Sequence, residues 1–203
     1  MNSQRRIKST VGASMSDILI KRLRERLGDP ERVTDGTDVI KPRIYQPVTS
    51  EVLDSAERRL GFKLPQLLRR IYTEVANGGF GPSYGLLGIC GGAANEDRRD
   101  SVELYEWFRK ARPDDDHWHW PERLLPLGHL GCAMFCCADC SSETTPIIWF
   151  EPNPHEDGEP WTDCFIPFAE SLGEWLTAWL DGEADDMFEI AWKRKFGDQA
   201  LES

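Results

Sequence analysis

The sequence predicts an α+β fold, a mainly antiparallel sheet flanked by helices with an N-terminal helical extension, and three observations lead there. Apolar residues recur with a helical period in several segments. Short apolar runs bounded by turn residues lie between two groups of such segments. Helical and strand-like stretches are grouped rather than strictly alternating. Material for a core is present: 40% of the 203 residues are hydrophobic, with 8 Trp and 9 Phe, too apolar and aromatic for a disordered chain. At this length one domain is the default, burying roughly 70% of the surface an unfolded chain exposes.

Residues 1 to 14 are polar and aperiodic and read as a loose tail. Ser16 precedes an amphipathic helix whose stripe is Ile18, Leu19, Leu23 and Leu27, ended by Gly28 with Pro30 beyond it. Glu31 to Pro47 is a surface connector. Ser50 caps a second helix with Leu53, Ala56 and Leu60 on its apolar face, and Gly61 supplies the left-handed residue that closes it. Pro65 opens a third helix with Leu68, Ile71, Tyr72 and Val75 on one stripe, stopped by Asn77, Gly78 and Gly79. Leu86, Leu87 and Ile89 are expected to form a short strand ending at Gly91 and Gly92.

Asp100 and Glu103 form a capping box for a helix with Leu104, Phe108 and Ala111, terminated by Pro113. Leu124 to Leu130 reads as a turn-rich approach to two strands, Cys132 to Ala138 and Pro146 to Phe150, paired as a hairpin. Cys164 to Ile166 is a further short strand. Ser171 with Glu174 caps a strongly amphipathic helix, with Leu172, Trp175, Leu176 and Trp179 at i, i+3, i+4 and i+7, ending by Gly182. Asp186 with Glu189 caps a last helix carrying Phe188, Trp192 and Phe196.

Charge narrows the choice of partner. The formal net charge is −11, which argues against bulk attraction to nucleic acid or an anionic membrane. It is unevenly spread: residues 1 to 112 hold 20 basic and 15 acidic side chains, a net of +5, whereas residues 113 to 203 hold 4 and 20, a net of −16. No apolar run approaches the ~20 residues of a membrane helix. Arg5, Arg6 and Lys8 are not followed by a signal-peptide arrangement, so a cytoplasmic location is expected. In a reducing compartment the six cysteines are thiols used as small hydrophobes.

Two clusters have the residue types of a metal site. His129, Cys132, Cys136, Cys137 and Cys140 include a Cys-x-x-Cys pair, but no second knuckle is evident, and in a strand Cys136 and Cys137 point to opposite faces. Asp114, Asp115, Asp116, His117 and His119 have suitable donors, yet a solvated acidic loop with Trp118 and Trp120 turned inward is the plainer use. No metal and no cofactor is therefore expected, and a zinc or thiol-redox role for the Cys132 to Cys140 hairpin stays a lesser alternative. No G-x-S-x-G elbow, H-E-x-x-H helix or phosphate-binding loop is present, so no catalytic residue is assigned and an enzyme is the weaker reading.

The run from Leu53 to Gly88 reads as helix, Leu60-Gly61-x-x-Leu64-Pro65, helix, then Asn77-Gly78-Gly79, and this pattern resembles the SUKH superfamily. The similarity continues through Leu125 to Gly128, the hairpin around Asp139 and Trp149, and the helix with Ser171, Leu172, Trp175 and Leu176. The resemblance implies a SUKH-like domain over 48–182, with residues 1–47 as tail, helix and connector and 183–203 as a C-terminal helical extension. It further implies binding of another protein without catalytic residues, as in bacterial immunity proteins of polymorphic toxin systems and fungal cell-wall regulators. The expected partner is a basic toxin domain, such as a nuclease, with a regulatory module as the alternative. The expected contacts are Asp114, Asp115, Asp116, Glu156, Asp157 and Glu159, with Trp118 and Trp161 as aromatic anchors. Leu60, Gly61, Leu64, Pro65, Asn77, Gly78, Gly79 and Trp175 are expected to be mostly structural.

Overall fold

The computed structural model describes residues 14–29, 32–34 and 43–197. Its elements are helices α1 (Met15–Leu27), α2 (Ser50–Leu60) and α3 (Gln66–Arg70), the last continuing as a π-helical turn (Ile71–Val75), then α4 (Ser101–Phe108). Strands β1 (Leu124–Gly131), β2 (Met134–Asp139), β3 (Ile147–Phe150) and β4 (Phe165–Ala169) follow, with a 3₁₀ turn (Trp161–Cys164) before β4, then α5 (Leu172–Asp181) and α6 (Ala184–Phe196). The four strands form one sheet in chain order, every neighbour antiparallel. The α+β class, the antiparallel sheet and the N-terminal helix are as the sequence predicts. The expected tail lies, except for Ser14, outside the described residues, and so does much of the expected connector.

Helix ends follow from local chemistry, with shifts of a residue or two. Ser14, not Ser16, caps α1, because Ser14 and Asp17 satisfy each other's backbone N–H groups. The buried stripe of α1 is Leu19, Ile20 and Leu23, whereas Ile18 is 45% exposed. Thr49, not Ser50, caps α2, and Gly61 closes it at φ +80°. Pro65 stands at the cap of α3 rather than inside its first turn. The Asp100–Glu103 capping box is present, but α4 ends at Phe108, a turn short of Ala111. Ser171 accepts a bond from the Glu174 N–H, while the Glu174 carboxylate turns to the N–H of Glu170. Helix α6 begins at Ala184, ahead of Asp186.

Two strand expectations are corrected. Leu124 to Leu130 is not an approach loop but the body of β1, an edge strand. Pro126 is tolerated there, and register shifts beside Pro126 and Gly128 absorb the irregularity that makes the segment read as turns. Leu86 to Ile89 is not a strand. One bridge joins Leu86 to Gly128, the Leu87 N–H reaches the Leu127 carbonyl at 2.7 Å, and the chain then turns through Cys90 and Gly91 at φ +45° and +90°.

Instead, Leu86 to Ala93 is held by Asn77. Its amide nitrogen donates to the Ile89 carbonyl at 2.8 Å and its amide oxygen accepts the Ile89 N–H at 2.8 Å, so a buried side chain occupies the place of a neighbouring strand. Backbone approach here leaves no room for side chains. A Cβ on Gly78 would lie 2.6 Å from the Leu86 carbonyl oxygen, and one on Gly79 would lie 1.8 Å from the Arg43 carbonyl oxygen.

Glu57 fastens the corner between α2 and α3. Only 3% exposed, it accepts the Leu64 N–H at 3.0 Å and the Lys63 ammonium at 2.6 Å, and it pairs with Arg69. Burial alone raises its pKa, but these three donors outweigh burial and hold it below the usual carboxylate value.

The sheet carries aromatic rings on both faces. On one, Phe135 and Phe150 meet Phe108 of α4 at ring distances of 5.7 and 5.8 Å. On the other, Trp149, which pairs with Cys136, lies under Phe188 and Trp192 of α6.

Gly79→Ala is expected to cost more than about 3 kcal/mol, since backbone must move and φ is +83°; urea denaturation reads this. Glu57→Gln is expected to lower stability by about 1–3 kcal/mol at pH 7. Because the folded pKa of Glu57 is depressed, its contribution is complete above the unfolded value of about 4.3 and is lost as pH falls through the folded value. The variant should therefore show a flatter acid limb than wild type in denaturation midpoints measured from pH 7 to 2.

Candidate functional site

Helix α4 places Trp107 and Phe108 at the edge of the aromatic sheet face, and the chain beyond it, turned by Pro113, returns with Trp118 and Trp120. Phe108 stacks on Trp120 with centroids 4.1 Å apart and planes 7° from parallel. Both indoles are pinned by their polar ends: Trp118 Nε1 donates to the Phe108 carbonyl and Trp120 Nε1 to the Leu124 carbonyl, each at 2.8 Å. The loop between β3 and β4 brings Trp161 edge-on against Trp118 at 4.9 Å.

Asp115 ties the two loops together. It accepts the Trp161 indole N–H at 2.7 Å and the His117 backbone N–H at 3.0 Å. Burial raises its pKa, but these bonds and the charges of His155 and Arg112 outweigh burial and hold it below the usual range. His155 stacks on the outer face of Trp161 at 3.7 Å and lies 3.0 Å from the Glu159 carbonyl. Between the loops is a pocket of about 260 Å³ walled by Leu104, Trp107, Phe108, Trp118, Phe150 and Trp161, with Asn95, Glu96, Asp97 and Arg99 along one side. Arg112 lies over Trp118 at 3.4 Å and within 5.2 Å of Trp107 and 5.8 Å of Trp161.

The structure therefore brings together Asp115, Trp118 and Trp161 of the residues expected to bind a partner, although Asp115 is committed to internal bonds. Asp114 and Asp116 are exposed on one loop, and Glu156, Asp157 and Glu159 on the other. The motif residues lie elsewhere. Leu60 and Leu64 are in the core, Gly61 and Pro65 shape the α2–α3 corner, Asn77 to Gly79 hold the following loop, and Trp175 underlies Gly128. Sequence reasoning missed Arg112, Trp107 and His155. Only Trp107 carried a signal, being a tryptophan outside the Leu104 and Phe108 stripe, and it is 39% exposed.

The cysteines do not gather. Cys132 is exposed in the β1–β2 turn, while Cys136 and Cys137 are buried on opposite sheet faces and Cys140 is buried beyond β2. Burial pushes the Cys136, Cys137 and Cys140 thiols up, away from the thiolate that metal binding or exchange requires. His129 faces Glu96, at 3.2 Å. Among the described residues no three His, Cys, Asp or Glu side chains form a metal-holding group. No helix among them is long and apolar enough to cross a membrane.

Compared with known families, the sequence model of the SMI1 / KNR4 family (SUKH-1) matches residues 47–178. No curated protein matches the chain.

Trp161→Phe keeps a ring against Trp118 and His155 but deletes the donor to Asp115. The Asp115 pKa is expected to rise toward its ordinary value in a carboxyl NMR titration, and an unchanged value would show that the indole bond does not hold this carboxylate.

Proposed function

Because the chain belongs to the SMI1 / KNR4 family (SUKH-1), whose domains are protein-interaction modules that include immunity proteins, we propose that it is a non-catalytic immunity protein that neutralises a cognate toxin by occluding it. On this reading residues 48–182 are the binding domain, flanked by 1–47 and 183–203, and the protein works in the cytoplasm without a cofactor or a metal. Its partner is a basic toxin domain rather than nucleic acid or a membrane.

One observation carries the reading. The exposed carboxylates Asp114 and Asp116 and those of Glu156, Asp157 and Glu159 stand on two loops joined through Asp115 and Trp161. A negative surface beside half-buried indoles has the composition of a binding patch in which aromatic anchors supply affinity and the charged rim supplies steering. A toxin with a basic cleft for phosphates would be drawn to that rim, and the bound domain would exclude its substrate.

The test is a variant with Asp114, Asp116, Glu156, Asp157 and Glu159 replaced by Lys, folded by circular dichroism, against a toxin domain encoded beside this gene. Its association rate is expected to fall roughly tenfold or more at low salt, the gap closing as salt screens it, with loss of protection in co-expressing cells. Unchanged association and unchanged protection would remove these loops from the interface.

A further inference from the structure

The aromatic pocket contains one guanidinium that no acceptor side chain of its walls meets. Of the carboxylates beside the pocket, Asp115 accepts from Trp161 and His117, Asp97 pairs with Arg99 at 3.0 Å, and Glu96 lies 3.2 Å from His129 Nε2. The Arg112 guanidinium differs. It is half-buried and its flat face rests on Trp118, yet its N–H groups meet no hydrogen-bond acceptor among the described residues. Indole faces stabilise its charge but accept none of its in-plane donors. Burial pushes its pKa down, and the charge of Asp115, which acts the other way, does not outweigh burial.

What Arg112 lacks is an acceptor that reaches it, and a carboxylate matches a guanidinium's planar fork. The rest of the cavity sets what that carboxylate is attached to. Trp107 offers an exposed apolar face, Leu104, Phe108, Phe135 and Phe150 add their margins, and about 260 Å³ lies just below the range of typical ligand pockets, about 300–1,000 Å³. Room exists for one ring-sized apolar body. We propose that this pocket is a binding site for a small organic carboxylate, whose anionic end bonds to Arg112 and whose apolar body lies against Trp107 and the margins of the Phe135 and Phe150 rings. The site is separate in chemistry from the acidic outer loops: they carry exposed carboxylates, whereas Arg112 carries the opposite charge.

The closing experiment titrates isotopically labelled full-length protein with phenylacetate and, separately, with its neutral analogue phenylacetamide, following the indole N–H signals of Trp107, Trp118 and Trp161 and the Arg112 Nε–H signal. Saturable shifts are expected with the acid, and binding at least about tenfold weaker with the amide, since a hydrogen bond to a charged group is lost. Arg112→Met, which keeps an unbranched apolar stem on Trp118, should weaken phenylacetate about tenfold or more with the indole spectrum still dispersed. Arg112→Lys, which keeps the charge without the fork, should fall between. The five-fold Lys variant of the outer loops should bind phenylacetate at least as tightly as wild type, so this site and the partner surface fail or survive separately. Equal binding of acid and amide, shifts that never saturate, or undiminished binding by Arg112→Met would each overturn the proposal.

Discussion

Two hydrogen bonds between the Asn77 amide and the backbone of Ile89 set the geometry on which the rest of the structure depends. A buried segment that is neither helix nor strand must still satisfy its N–H and C=O groups, and Asn77 does so with one side chain. Its backbone takes part as well, since the Asn77 N–H reaches the Tyr45 carbonyl and its own carbonyl accepts the Ala93 N–H. With Leu86 to Ala93 held in place, the Gly88 carbonyl receives the Ser101 N–H at 2.9 Å and so positions the first turn of α4. Helix α4 carries Trp107 and Phe108. The position of the aromatic pocket is thus inherited, through three short links, from an asparagine remote from it in sequence.

The sheet divides the labour of its two faces. The face toward α4 gathers Phe108, Trp118, Trp120, Phe135, Phe150 and Phe165 in edge-to-face and stacked contacts, and its outer margin remains open as the pocket. On the face toward α6, Trp149 is fully buried. Burial there has a cost: the Trp149 and Trp192 indole N–H groups are buried without acceptors, each worth on the order of 1–3 kcal/mol. Ring contacts among Trp149, Phe188, Trp192 and Phe196 offset it. Helix α6 lies beyond the segment matched by the family model.

Much of the fold was legible because it rests on short-range chemistry. The left-handed closures at Gly61 and Gly182, the Asp100–Glu103 capping box and the stripe of α5 follow from residues within a few positions of one another. The failures share a different cause. Proline and glycine in β1 read as loop, yet their backbone irregularity is acceptable at the sheet edge, a position no local window reveals. Leu86 to Ile89 has a strand's composition, but its partner is a side chain instead of a strand.

The sequence by itself determined the α+β class, most helix ends, the uneven charge and the acidic loops, since periodicity, capping and composition are properties of neighbouring residues. Only the tertiary structure decided what those loops enclose. Asp115 turned from a surface charge into an internal fastener once Trp161, 46 positions away, was brought within 2.7 Å. Arg112 acquired its setting because three indoles cluster around it while Asp115 and Asp97 are committed to other nitrogens. Such facts depend on which donors and acceptors chain folding leaves unmatched, and that balance exists only between residues distant in sequence.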